Sequence, residues 1–202
     1  NHHLFFADMA LRDTGVAELL PSVEVAVFDE AHQLAEAGVQ FLGRTLGTAQ
    51  VLDFARDLLA TGLQQARGLA PWQELAGACE LGARDLRLVC AGGLDQLRGT
   101  LKLRWNERAA RADFAAALTA LGHACDAAAA GLAGVAELSP DFDKLAERAR
   151  ALAQLASGFV AEADEGNVRW IDVSPHQARL VESPLDIREA LQEQISAAPK
   201  AW

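Results

Sequence analysis

Several things are scarce in these 202 residues, and each scarcity removes a class of protein. Cysteine occurs three times, at Cys79, Cys90 and Cys125, an odd number at wide spacing. That fits neither a disulfide framework nor a metal knuckle, and reduced thiols in a core are expected. Basic residues are outnumbered, 18 Lys and Arg against 28 Asp and Glu. The resulting net charge of -10 argues against a surface that binds nucleic acid all over, but leaves room for a local basic patch. No run of about 18 consecutive apolar residues occurs, so no segment is expected to cross a membrane. The opening "NHHLFFADMALRD" has neither a basic n-region nor a cleavage site; no signal peptide is expected, and the expected compartment is the cytoplasm. Its Leu-Phe-Phe reads as native sequence rather than as the tail of a tag. There is no G-x-x-x-x-G-K-S/T, so no loop of this kind cradles phosphates. His2, His3, His123 and His176 show no metal-ligand spacing.

What is present is apolar and helical. Hydrophobic residues make up 51% and charged residues 23%, enough for a sizeable core and too apolar for global disorder. Leu4 to Leu11 reads as a short helix, and a second is expected from Ala31 to about Phe41. "GRTLGT" reads as a break, with Thr48 capping a helix from Ala49 whose stripe is Val51, Ala55, Leu58 and Gly62, with Leu52, Leu59 and Leu63 beside it. Pro71 opens a further helix that Gly92-Gly93 closes. Phe114, Leu118, Leu121 and Cys125 recur at helical spacing, with His123 off that face. Ser139-Pro140-Asp141 combines cap, first-turn proline and first-turn acid ahead of the stripe Phe142, Leu145, Ala149, Leu152, Ala156 and Phe159. Four long helices with short connections predict a bundle.

Strand signals bracket it. "VEVAVF", Val23 to Phe28, is apolar on both faces apart from Glu24, as in a parallel strand covered by helices. After Gly166-Asn167 the period changes: "VRWIDV" and "ARLVES" alternate around "SPHQ", predicting two strands and a turn. Ser183-Pro184 then starts a final helix, "LDIREALQEQISAA". The economical reading is a chain that leaves a sheet, builds a bundle and returns, so that Phe28 and Ile171 share one α/β body.

The first strand stops on Asp29, Glu30, Ala31 and His32. Phosphoryl transfer needs one carboxylate near a magnesium ion and another to position water. A strand ending in adjacent acids can deliver both at its carboxyl end, where open parallel sheets bind their ligands. On this reading Asp29 holds the ion, through water, Glu30 orients the attacking water, and His32 reports the nucleotide state. The plain alternative is an acidic first turn that opens a helix.

DEAH after such a strand resembles the second helicase motif, Walker B, of superfamily-two helicases. "NHHLFFADMALR" resembles the stretch that precedes this motif in bacterial DinG-like helicases, relatives of XPD. "VRWIDVSP…ARLVESPLDIREAL" resembles the strand pair and helix with which that family re-enters its motor domain. The resemblance implies a mixed, mainly α fold: a helical Arch-type bundle inserted into part of a parallel α/β motor lobe. Residues 1–33 would belong to that lobe, 34–167 to the insertion and 168–202 to the return. It also implies an ATP-dependent helicase moving 5′ to 3′ on single-stranded DNA, with ATP and Mg2+ as cofactors and the remaining motor-lobe segments as partners. Asp29 and Glu30 inherit the magnesium and water roles, and His32 the coupling role. An iron–sulfur cluster, where members carry one, would have its cysteines before Asn1. Gln33 stands where the family often has Asn. With no phosphate loop and no third motif, the chain reads as a segment of a longer protein, inactive towards ATP alone.

One stretch runs against the acidic background: "RGTLKLRWNERAAR" gathers Arg98, Lys102, Arg104, Arg108 and Arg111 against the single acid Glu107. Such an edge on an Arch-type lobe would guide the phosphate backbone of single-stranded DNA. Against this stands a solvated face whose long side chains cover apolar surface. Trp72, Trp105, Trp170 and Trp202 read as core or interface anchors, Trp105 alone being flanked by basic residues. Two rival functions remain: a helical interaction module with no enzymatic parent, and a metal-dependent hydrolase built on Asp29, Glu30 and His32.

Overall fold

Each long apolar stripe becomes a helix that buries that stripe. The computed structural model describes residues 2–13, 19–21, 27–93, 99–188 and 191–192. Its elements run α1 His2–Asp13, α2 His32–Leu42, β1 Arg44–Gly47, α3 Thr48–Gln65, α4 Trp72–Ala91, β2 Leu101–Arg104, α5 Trp105–Ala109, α6 Ala112–Ala133, α7 Pro140–Val160, β3 Asn167–Val173 and β4 Ala178–Pro184. Helix dominates, and the strands form one four-stranded sheet in the order β1-β4-β3-β2. β2 and β3 pair antiparallel, Leu103 opposite Ile171 and Arg104 opposite Trp170. A four-residue connection joins β3 to β4, closed by Ser174 N–H donating to the Gln177 carbonyl at 2.8 Å, so β3 and β4 form a hairpin.

Two compact units divide the chain. The larger takes Thr45–Ala163 and Arg169–Val181. In it α3, α4, α6 and α7 pack as a bundle, α4 on α3, α6 on α4, and α7 on α6 and α3. Val51, Ala55, Leu58, Phe114, Leu118, Leu121, Cys125, Phe142, Ala149, Leu152, Ala156 and Phe159 are all buried there, while His123 is exposed. Small residues set the spacing: a Cβ on Gly62 would lie 2.4 Å from Trp72 Cδ2, and one on Gly82 3.3 Å from the Leu121 Cα. Trp72 stacks on Phe142 and donates its indole N–H to the Ala66 carbonyl at 2.8 Å. The predicted ends hold as well. Pro71 precedes α4, Gly92 closes it with φ 56, and Ser139 accepts from Asp141 N–H at the start of α7. Such a cap is worth about 1 kcal/mol. Among the described residues α6 is, by length and composition, apolar enough to cross a membrane. Its alanines account for that, and its Phe114, Leu121 and Leu132 are buried in the bundle core.

The smaller unit takes residues 1–44, 164–168 and 182–202. α1 packs on α2 around Phe6, Met9, Ala37 and Ile187. Buried Asp8 accepts the backbone N–H groups of Leu19 and Leu20 at 2.6 and 2.8 Å. Glu182, 2% exposed, accepts Arg44 Nε at 3.1 Å, Arg44 Nη2, and Asn167 Nδ2 at 2.9 Å. Arg44 Nη2 also reaches Asp164 at 2.9 Å. The beginning of the excursion and its return are thus tied by one guanidinium.

Five expectations change. "GRTLGT" contains strand β1 rather than a plain break. Thr48 is not a cap: α3 begins at Thr48 itself, and its hydroxyl accepts the buried Ala178 N–H at 3.0 Å, a long-range partner that outcompetes the local one. Val27 and Phe28 lie in no strand, with Val27 89% exposed, and residues 22–26 fall outside the described residues. Phe28 falls in the smaller unit but Ile171 in the larger, because Ile171, Val173, Ala178 and Leu180 bury against the bundle core. The final helix does not start at Ser183-Pro184, because β4 runs through Pro184 and Leu185, Asp186 and Ile187 are not helical. Arg188, Leu191 and Gln192 are helical, and residues 189–190 and 193–202 lie outside the described residues.

Candidate functional site

Asp29, Glu30 and Ala31 form a turn that leads into α2. Glu30 has φ 52, a left-handed conformation that costs a side-chain-bearing residue about 1 kcal/mol or more. Asp29 offsets part of that strain, since its Oδ1 accepts Glu30 N–H at 2.9 Å. The Glu30 carbonyl accepts Gln33 N–H at 2.8 Å and so starts the helix. His32 Nδ1 lies 3.1 Å from Glu30 Oε2, with both side chains mostly exposed. His32 therefore sits on the Glu30 carboxylate, the group expected from the sequence to position water.

The turn is fastened from behind by α1. His2 Nε2 lies 2.9 Å from the Asp29 carbonyl oxygen, so this nitrogen carries the proton and donates. Phe28, just before the acids, meets the His2 ring at 6.2 Å and the Phe5 ring edge-on at 4.9 Å. "NHHLFF" and "FDEAH" form one local assembly. The only sequence signal for it is the resemblance that pairs the two stretches, since periodicity relates neither to the other.

The donor set at this turn suits a hard, water-clad cation held mainly by something else. Two adjacent exposed carboxylates are present, and Asp29 spends one oxygen on the backbone. Among the described residues no three His, Cys, Asp or Glu side chains converge to hold a metal alone. Magnesium keeps most of its waters and takes one or two carboxylates plus substrate phosphates, and the residues fit that role.

The basic stretch is sorted by its secondary structure. Arg98 lies outside the described residues. Arg108, on α5, reaches back to the Ala91 carbonyl at 3.5 Å and lies against Gly92, with its Nε buried and without a hydrogen bond. Arg111 forms a two-pronged pair with Asp113 at 2.6 and 3.0 Å, which holds the Asp113 carboxyl below the usual range and raises the guanidinium further. Lys102 and Arg104 are exposed on β2, Lys102 Nζ standing 4.5 Å from the centre of the Trp170 ring. Trp105 is a packing residue, flanked by Phe114, Phe159 and the Arg169 guanidinium. The cysteines are buried and unpaired, and burial pushes the Cys90 thiol up to about 12.

No protein-family profile matches the chain. Two relatives align with all of it. One is the ATP-dependent DNA helicase YoaA of Escherichia coli (strain K12), 30% identical over 203 residues. The other is the protein of the same name from Haemophilus influenzae, 26% identical over 202 residues. The chain spans 31% of the length of each. From its first residue to its last, then, the chain is similar to a segment of proteins named as ATP-dependent DNA helicases.

Proposed function

We propose that the chain is a segment of an ATP-dependent 5′–3′ DNA helicase of the DinG-like kind. On this reading it supplies the Walker B DEAH turn and the Arch-type helical insertion. The observation that carries the reading is the end-to-end similarity to two helicases, joined to the fastening of "NHHLFF" onto "FDEAH" through His2 and the Asp29 carbonyl. On this reading the smaller unit belongs to the parallel α/β motor lobe and the larger one to the insertion. The rest of that lobe is the unit's partner, single-stranded DNA the substrate track, and the cytoplasm the location. An iron–sulfur cluster, if the whole protein has one, is ligated outside this segment.

In the mechanism, bound Mg·ATP supplies the electrophilic phosphoryl group and the charge-neutralising ion. Asp29, whose Oδ1 accepts the Glu30 N–H, would hold the ion through its water shell. Glu30 orients the attacking water and takes up its proton. His32, 3.1 Å from the Glu30 carboxylate, holds that group's rotamer and links its position to α2. With no phosphate-cradling loop in its 202 residues, the chain by itself does not hydrolyse ATP.

The test is Glu30→Gln in the full-length protein. It keeps the size of the side chain and removes the base. Nucleotide binding should persist while turnover and unwinding fall by about 100-fold or more. Near-normal unwinding by this variant would remove Glu30 from the mechanism, and Mg-dependent turnover by the 202-residue chain would refute the reading that it is inactive towards ATP alone.

A further inference from the structure

Antiparallel pairing sorts β2, β3 and β4 of the larger unit into two faces. Ile171, Val173, Ala178 and Leu180 lie in the bundle core, with Leu103 packed against it. Side chains alternate along a strand, so Lys102, Arg104, Trp170, Asp172 and Arg179 occupy the opposite face. The register sets Lys102 against Asp172 and Arg104 against Trp170. Arg179 Nη2 stands 3.5 Å from Asp172. This face gathers three cations, one acid and one tryptophan, in a chain whose net charge is -10.

We propose that this face binds single-stranded DNA, with Trp170 as the stacking platform and Lys102, Arg104 and Arg179 on the phosphates. The inference rests on the helicase reading for the identity of its ligand. Charge complementarity selects a polyanion, and the aromatic selects one with flat, unstacked bases.

Trp170 differs from the other described tryptophans in its surroundings. Trp72 is buried with its indole N–H bonded, and Trp105 is hemmed in by Phe114 and Phe159. Trp170 is half-buried, its Nε1 is buried without a hydrogen bond, and its ring carries the Lys102 ammonium. A lysine over one face of a half-buried ring is a modest contact, and base stacking is worth at least as much. The exchange is therefore favourable: the base takes the ring and the ammonium moves to the adjoining phosphate. Charges on an edge strand also deter strand-to-strand aggregation, and β2 ends the sheet order. That explains Lys102 and Arg104 but not Trp170 on β3 or Arg179 on β4.

The experiment uses the full-length protein and a fluorescent oligo(dT), with anisotropy read across a salt series. Lys102→Ala/Arg104→Ala/Arg179→Ala should bind at least about tenfold more weakly at low salt, with a salt slope shallower by about 2. Trp170→Ala should lose about tenfold and Trp170→Phe much less, since phenylalanine keeps a stacking surface. Arg84→Ala, which removes a cation from α4, should bind as wild type. Urea midpoints at wild-type values exclude unfolding as the cause. If the wild type binds the strand but the triple and Trp170→Ala variants match it, the face is overturned and the helicase reading survives. If the wild type binds no single strand at all, both fall.

Discussion

Replacing Arg44 by alanine should loosen the strand ends more than any other single surface change. Glu182 is 2% exposed and accepts two guanidinium nitrogens from Arg44 and the amide of Asn167. Breaking a fully buried ion pair from one side costs about 3–5 kcal/mol, because the remaining charge is stranded. Here Arg44 keeps 46% of its side chain exposed, so water enters where it leaves, and Asn167 still donates. We therefore place the cost of Arg44→Ala at about 2 kcal/mol. Glu182→Gln keeps an oxygen for Asn167 and leaves Arg44 beside Asp164, so it should cost less, under about 1 kcal/mol. The double variant strands no charge and should be more stable than Arg44→Ala alone. Two units can open separately, so the readout is native-state hydrogen exchange at the amides of Val181 to Ser183, beside a urea titration. With a slope of about 2 kcal/mol per molar urea, the midpoint for these strands should fall by about 1 M. A cost of under about 0.5 kcal/mol for Arg44→Ala, or strict additivity in the double variant, would refute the stranded-charge argument.

Other outcomes follow from single contacts. Gly62→Ala places a methyl 2.4 Å from Trp72 Cδ2 and should cost about 1–3 kcal/mol by urea unfolding. Thr48→Val strands the buried Ala178 N–H and should cost about 1–2 kcal/mol, while Thr48→Ser should recover most of it; equal stability of both variants would void that bond. Cys90, pushed up to about 12, is ionised at pH 8 in about one molecule in ten thousand, so alkylation of the folded chain should be slow and rise about tenfold per pH unit. Rapid labelling of Cys90 at pH 7 under native conditions would contradict its buried setting.

The bundle was legible because its signals are local and repeated. A stripe such as Phe142, Leu145, Ala149, Leu152, Ala156 and Phe159 fixes a helix and its buried side together, and every one of these is buried. Stops that depend on one residue's own backbone were legible too, as with Gly92 at φ 56. What failed were features decided by distant partners. β1 is four residues long with a glycine at its end, too short to show a period, and it exists by pairing with β4. Thr48 had the chemistry of a cap and spent it on Ala178. Alternation in β3 and β4 showed that one face is buried but not what buries it. The bundle does so, and Ile171 parts company with Phe28.

The candidate site divides along the same line. The letters DEAH announce two acids and a histidine, but nothing in them announces the left-handed Glu30 or the histidine 27 residues away that holds the Asp29 carbonyl. Counting charges along "RGTLKLRWNERAAR" had the same weakness. It weighs five cations equally, whereas folding sorts those it describes by element. A helix turns Arg108 back onto Gly92 and a helix start gives Arg111 to Asp113. Only the two at strand spacing, Lys102 and Arg104, share an outward face, and they share it with Trp170 and Arg179 from a different part of the chain. Charge density along a sequence predicts a binding surface only when the intervening elements keep those charges on one side. Here the spacing of two does so, and the spacing of three or four across a helix start does not.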